Sequence, residues 1–330
     1  MDKTTSLAAL IVLASFIAGC GEDPATLENW DHSHTGLYNA AISQDGRFAV
    51  ISSSSDGASF WNLATNSRLY DWSHDDTSEG QISQIAFAPD NSHVITANAR
   101  TFIVWSTQSG QSLGYWSVDA DISCIAISDR GEFVLLGLKD GRAIHINQRT
   151  GRRLEVVAHR NERVASVDLS SDGMVAVTGG NDNRAMVWET THGKQLKVMN
   201  HNERILVTKF DASDEKVFTA DELGNASIWD LKSGKKLAVM ELGKRQHVVT
   251  AARFSQDGKL LLLGFPGRDV RLWDTTTGKQ VDSWRTPIRS NGWVPQGSTV
   301  YAVAFNESQS AVVAESSNGL GRSWSLRPAN

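Results

Sequence analysis

Beyond Cys20, apolar and polar residues alternate in short runs, such as Arg184-Ala185-Met186-Val187 and Ile122-Ser123-Cys124-Ile125-Ala126-Ile127. A period of two puts successive side chains on opposite faces of a strand. No stretch of this region carries the 3.6-residue period of an amphipathic helix, so the pattern predicts an all-β chain. Two recurrent turns interrupt the runs. One reads Asp45-Gly46, Asp90-Asn91, Arg130-Gly131, Asp172-Gly173, Asp214-Glu215 and Asp257-Gly258. The other reads Ser109-Gly110, Thr150-Gly151, His192-Gly193, Ser233-Gly234 and Thr277-Gly278, with Asn66 in the Gly place of the first copy. Gly and Asn tolerate the positive φ that hairpin turns require. Four short strands per unit follow.

The units repeat at the spacing expected of a repeat architecture. Aligned on Trp61, Trp105, Ile146, Trp188, Trp229, Trp273 and Trp324, the chain offers seven equivalent positions, six of them Trp. This resembles the WD-repeat family, in which the Trp closes the third strand of each propeller blade; Trp229-Asp230 and Trp273-Asp274 keep the literal pair. A fourth-strand motif recurs from Leu69 to Trp72, Leu113 to Trp116, Leu154 to Val157, Leu196 to Met199, Leu237 to Met240 and Val281 to Trp284. Its seventh copy, Leu27-Glu28-Asn29-Trp30, stands near the other end of the chain. The expected fold is a seven-bladed β-propeller of four-stranded antiparallel blades, closed by an N-terminal strand that completes the last blade and removes an open sheet edge.

The resemblance implies a hydrogen-bonded His, hydroxyl, Asp and Trp set that stiffens a blade, and the fourth blade supplies His159, Thr178, Asp182 and Trp188. The fifth blade matches in part, with His201, Thr219, Trp229 and a displaced Asp221, while His74, Thr96 and Trp105 of the second lack the Asp. A His, a hydroxyl and an Asp also suggest nucleophilic catalysis. That chemistry requires an exposed Oγ beside an oxyanion hole, and the sequence has no nucleophile elbow, so no catalytic residue is assigned and no enzyme is expected.

The first residues read as an address. Lys3 precedes an apolar run from Leu7 to Ile17, too short to span a bilayer as a helix and followed by Ile17-Ala18-Gly19-Cys20. This resembles the bacterial lipobox, which implies removal of residues 1–19 and lipidation of Cys20. Asp2 departs from the usual basic start. Residues 20–26 then form the lipidated terminus and a short linker, and residues 27–330 the propeller. Gly21 in place of an Asp after the Cys implies outer-membrane sorting, with the propeller facing the periplasm close to the lipid.

Composition narrows the partners. The net charge of -5 gives the whole molecule no electrostatic pull toward nucleic acid. Nine histidines are scattered without metal-ligand spacing, so neither metal nor cofactor is expected, and the close pair His32 and His34 reads as solvated loop. Cys124, inside an apolar alternation, reads as a small buried hydrophobe. Loops joining one blade to the next should open on one face. Those entering blades one to three carry Asp31, Asp75, Asp76, Glu79, Asp119 and Asp121 without a cation. Those entering blades four to seven carry Arg160, Arg163, Arg204, Lys244, Arg245, Arg285 and Arg289 against Glu162, Glu203 and Glu241. This polarity would orient an oppositely charged protein partner. The candidate contacts are Arg163, Arg204, Lys244, Arg245, Arg289 and Trp293, the one Trp of eleven outside the repeat pattern.

The expected function is therefore a monomeric, lipid-tethered protein-interaction scaffold, in envelope assembly or maintenance by similarity to other lipid-anchored propellers. Its rivals are a periplasmic propeller enzyme and a small-ligand or glycan binder at the channel mouth, with Arg204 or Arg245 pairing a carboxylate.

Overall fold

A computed structural model describes residues 25–54, 57–74, 81–240, 242, 248–289 and 297–326. Among the described residues, twenty-eight strands form seven four-stranded antiparallel sheets. Six blades are consecutive in sequence: residues 37–72, 84–117, 122–157, 164–200, 205–240 and 251–285. The seventh joins Val300–Phe305, Ala311–Ser316 and Leu320–Ser325 to Thr26–Asp31. Thr26–Asp31 runs antiparallel to Leu320–Ser325, with Asn29 opposite Arg322 and Trp30 opposite Gly321. The ring is closed by the two ends of the described chain. Only a single 3-10 turn, Asp129–Gly131, interrupts the strands among the described residues.

The first strands of successive blades contact one another around the whole circle, from Leu37–Ile42 through Val300–Phe305 and back. They are the innermost strands, and the cores lie between blades. One such core unites Phe218, Ile228, Phe254, Leu261 and Trp273 across blades five and six. The outermost strands alternate exposed and buried residues, as the two-residue period requires, and Leu69, Leu113, Leu196, Leu237 and Val281 face solvent.

The repeated turns have the conformation that their residues permit. Positive φ occurs at Gly46, Asn91, Gly173, Asp214, Gly258 and Gln309 between first and second strands, and at Asn66, Gly110, Gly151, Gly193, Gly234 and Gly278 between third and fourth. At Gly46 the freedom is also steric, because a Cβ there would lie 2.7 Å from the carbonyl oxygen of Phe305 in the seventh blade. A register shift in the outer pairing accompanies each of the six repeat tryptophans and is absent beside Ile146. A bulge re-aims a side chain, and the indole uses one where the smaller Ile146 does not.

Candidate functional site: the loop face and its supports

Every innermost strand begins at a loop arriving from the previous blade, so these loops share one face with the turns between second and third strands. Beneath that face lie His74, His159 and His201. In the fourth blade His159, fully buried, puts Nδ1 2.7 Å from Asp182 and Nε2 3.0 Å from Thr178. Burial lowers the pKa of His159 and the Asp182 carboxylate opposes that. Burial likewise disfavours ionised Asp182, but the His159 ring and the Arg184 guanidinium outweigh it and hold that carboxyl below its ordinary value. Trp188 corrects the expectation: it is buried in the same blade, yet its Nε1 has no hydrogen-bond partner.

The fifth blade, expected to be partial, makes the whole set. The Trp229 indole donates to Thr219 at 2.8 Å, Thr219 lies 2.8 Å from His201 Nε2, and His201 Nδ1 lies 3.2 Å from Asp221. The displaced Asp221 reaches the ring and also accepts the amide of Asn225 at 2.9 Å. The second blade substitutes for its missing Asp. Trp105 donates to Thr96, which meets His74 Nε2, and His74 Nδ1 meets Thr101, whose hydroxyl donates to Asn98. All four distances are between 2.8 and 3.1 Å.

Among the described residues, most of the charges behind the expected division of the face are neutralised by partners. Second-to-third-strand turns supply opposite charges that the loops alone did not reveal. Asp119 pairs with Arg142 at 2.9 Å, and Asp121 with Arg100 at 2.9 Å and Lys139 at 3.1 Å. On the basic side Arg204 binds Glu222 at 2.6 Å and Arg285 binds Asp269 at 2.9 Å. Arg289 is committed to ring closure, with its guanidinium donating to the carbonyls of Asn318 at 3.1 Å and Ser33 at 2.9 Å and to the carboxylate of Asp31. These are structural ties. Arg163 remains exposed, as does its neighbour Arg160, and neither forms an ion pair among the described residues. Lys244, Arg245 and Trp293 lie outside the described residues, as do Cys20, Asp75, Asp76, Glu79 and Glu241.

His32 is a second correction. Instead of being solvated, its side chain is fully enclosed, 3.0 Å from the equally enclosed Glu315, with its ring 4.6 Å from that of Trp61. His34 is the exposed member of the pair. The sequence signal was available in part, since Glu315 is a charged residue directly after four apolar residues of the strand Ala311–Ser316. Cys124 is buried, and burial pushes its thiol up to about 12, which leaves it unreactive. Among the described residues no group of His, Cys, Asp and Glu is arranged to hold a metal ion.

The stretch from the outer turn of blade three to the third strand of blade four contains His159, Thr178, Asp182 and Trp188 in this geometry. Residues 151–189 match the WD domain, G-beta repeat. Over more of its length the chain is similar to individual proteins. It is 22% identical over 248 residues to WD repeat-containing protein 18 of Danio rerio, covering 67% of this chain and 57% of that protein. It is 23% identical over 179 residues to the human (Homo sapiens) serine-threonine kinase receptor-associated protein, covering 54% of this chain and 51% of the other. Autophagy-related protein 16 of Arabidopsis thaliana is 24% identical over 159 residues, 47% of this chain and 30% of that protein. The chain spans about half the length of the first two relatives and less of the third. A seven-bladed ring with a WD-domain match and likeness to a WD repeat-containing protein suits a protein-interaction scaffold in general terms.

Proposed function

We propose that the protein is an interaction platform that holds a protein partner on its loop face. The observation that carries this reading is the contrast on that face between a framework locked by buried His159, His201 and His74 and the uncommitted side chains above it. Arg160 and Arg163 are exposed without ion pairs among the described residues, and Leu223 and Ile288 expose large apolar side chains elsewhere in the same set of loops and turns. Rigid supports under exposed anchors favour binding, because little ordering entropy is lost on association.

In the fuller proposal, the lipobox-like Cys20 carries acyl chains that tether the platform to the outer membrane, facing the periplasm, where it serves envelope assembly or maintenance. Two acyl signals anchor a protein far more firmly than one. The test uses the full-length chain in its own membrane, with a photo-crosslinking residue placed either at Arg163 or at Gly151 on the opposite side of the disc. A discrete adduct from position 163 and none from 151 is expected. Equal labelling from both positions overturns the loop-face reading, and Cys20→Ser that stays with the membrane fraction overturns the tether.

A further inference from the structure

The turns between third and fourth strands lie on the side of the disc away from the loop face, at its outer edge. In blades four and five this edge is basic. Lys194 and Lys197 stand on one blade and Lys232, Lys235 and Lys236 on the next, in a chain whose net charge is -5. Residues 189–200 and 230–240 hold only two carboxylates against these five lysines. Both carboxylates close their own turns: Glu189 accepts the amide of His192, and Asp230 that of Ser233 at 2.6 Å. None of the five lysines forms an ion pair among the described residues, and all but the half-buried Lys197 are exposed. Blades one and two differ, since residues 62–72 and 106–117 contribute one cation, Arg68, which is tied to Asp71.

Side chains carry the patch from blade to blade. Arg152 of blade three donates to the carbonyl of Thr191 in blade four, and the Lys197 stem lies against the Gly234 turn of blade five. Lys236 holds its ammonium 4.7 Å from the centre of the Trp229 ring. Among the lysines large apolar side chains are exposed: Leu196 and Val198 on the outer strand of blade four, Leu237 and Val239 on that of blade five. The outer edge of a disc is convex, so it offers no groove to hold a peptide. Aliphatic side chains interleaved with unpaired lysines on such an edge match the boundary between headgroups and acyl chains of a bilayer. There the apolar groups enter and each ammonium stays with phosphate.

We propose that the outer edge of blades four and five docks on an anionic lipid surface, with the lysines meeting lipid phosphates and Leu196, Val198, Leu237 and Val239 entering between headgroups. The approach is edge-on. At the centre of the same side Asp45, Asp90, Asp214 and Glu307 line the central cavity, and an anionic bilayer lying flat across the disc would meet them. Tilting the disc onto blades four and five lifts that acidic ring away, and charges more than about 10 Å from the lipid are largely screened at 0.1 M salt. The surface does not depend on the tether proposed above but agrees with it. Thr26–Asp31 begins at the side of the disc that carries these turns, so an anchor ahead of it would hold the same side to lipid and turn the loop face outward.

Every strand of the ring pairs within residues 26–325, so the chain starting at Gly21 keeps the fold without any anchor. In the test, that protein is sedimented at low salt with vesicles of phosphatidylcholine, alone or mixed with phosphatidylglycerol. The mixed vesicles are expected to bind it at least about ten-fold more tightly, since several lysines act together. Lys→Gln at all five positions, checked for an unchanged circular dichroism spectrum, should cut that preference below about three-fold. Leu237→Ser with Val239→Ser should weaken binding to the mixed vesicles at least about three-fold. Arg160→Gln with Arg163→Gln, on the loop face, should change neither result. Equal binding of the unsubstituted protein to both vesicles overturns the proposal, as does a preference that survives loss of the lysines or disappears with the loop-face arginines. Immobilised polyglutamate bound as tightly as the mixed vesicles, and unaffected by the changes at Leu237 and Val239, overturns it by showing an acidic peptide to be the occupant. The Cys20→Ser experiment addresses the tether alone, so the two readings fail separately.

Discussion

Histidine 145 illustrates how a single buried side chain ties this protein to pH. Its Nε2–H donates to the carbonyl oxygen of Gly173 at 3.1 Å, its ring stacks on Phe133, and burial lowers its pKa to about 4. His93, His159 and His201 are also lowered, burial being the leading cause in each. Below about pH 6.5 the unfolded chain therefore binds more protons than the folded one. Stability from these groups is complete above that pH and declines as the pH falls, with His145 alone accounting for roughly 2 kcal/mol at pH 5. Asp129 and Asp214, both raised, act in the opposite direction nearer the carboxylate range. Urea midpoints should fall between pH 7.5 and pH 5, and His145→Gln should flatten that slope whatever it does to stability at pH 7.5. Identical slopes for the two proteins would contradict the assignment.

Turns show the same logic at the level of elements. Where the turn between first and second strands has Gly, a neighbouring blade packs against it; Asn91, Asp214 and Gln309, which stand at positive φ in such turns, reach the previous blade with their side chains. Asn91 accepts the amide of Gln44 at 2.6 Å, Asp214 that of Ser171 at 3.0 Å and Gln309 that of Gln256 at 3.1 Å. Asn91→Gly removes backbone strain but also an interblade hydrogen bond, and adds entropy to the unfolded chain. The expected net effect is a loss of about 1 kcal/mol in denaturant unfolding; a more stable variant would show that the staple is ornamental. The alternation and the turn residues made these elements legible in the sequence, because both are local. What connects them was not. Asp119 meets Arg142 because antiparallel sheets deliver second-to-third-strand turns to the same face as the interblade loops, and Asp31 meets Arg289 because ring closure sets the loop entering blade one beside the loop entering blade seven. Reading the loops alone therefore exaggerated the polarity of that face and turned a closing tie, Arg289, into a candidate contact.

For the molecule as a whole, the displaced copy Leu27-Glu28-Asn29-Trp30 was sufficient to anticipate closure, since an unpaired outer edge at Leu320–Ser325 needed a strand. The interior of the closure was hidden. His32 and Glu315 are 283 positions apart in the chain and meet with both side chains fully enclosed. Breaking a buried pair leaves one member without compensation, so Glu315→Gln should cost about 3 kcal/mol, more than Arg289→Gln at the partly solvated rim. Equilibrium unfolding of the two variants decides it, and the reverse order would place the main tie at the rim.

The seventh blade also imposes a schedule. Six sheets can form from contiguous sequence, but Thr26–Asp31 is synthesised before any of them and finds its partner strand only when Leu320–Ser325 exists. Until then its Trp30 and the edge awaiting it are both uncovered, an exposure that favours aggregation. Of the strands in the ring, the one made first has the partner made last, and the disc remains an open spiral until then.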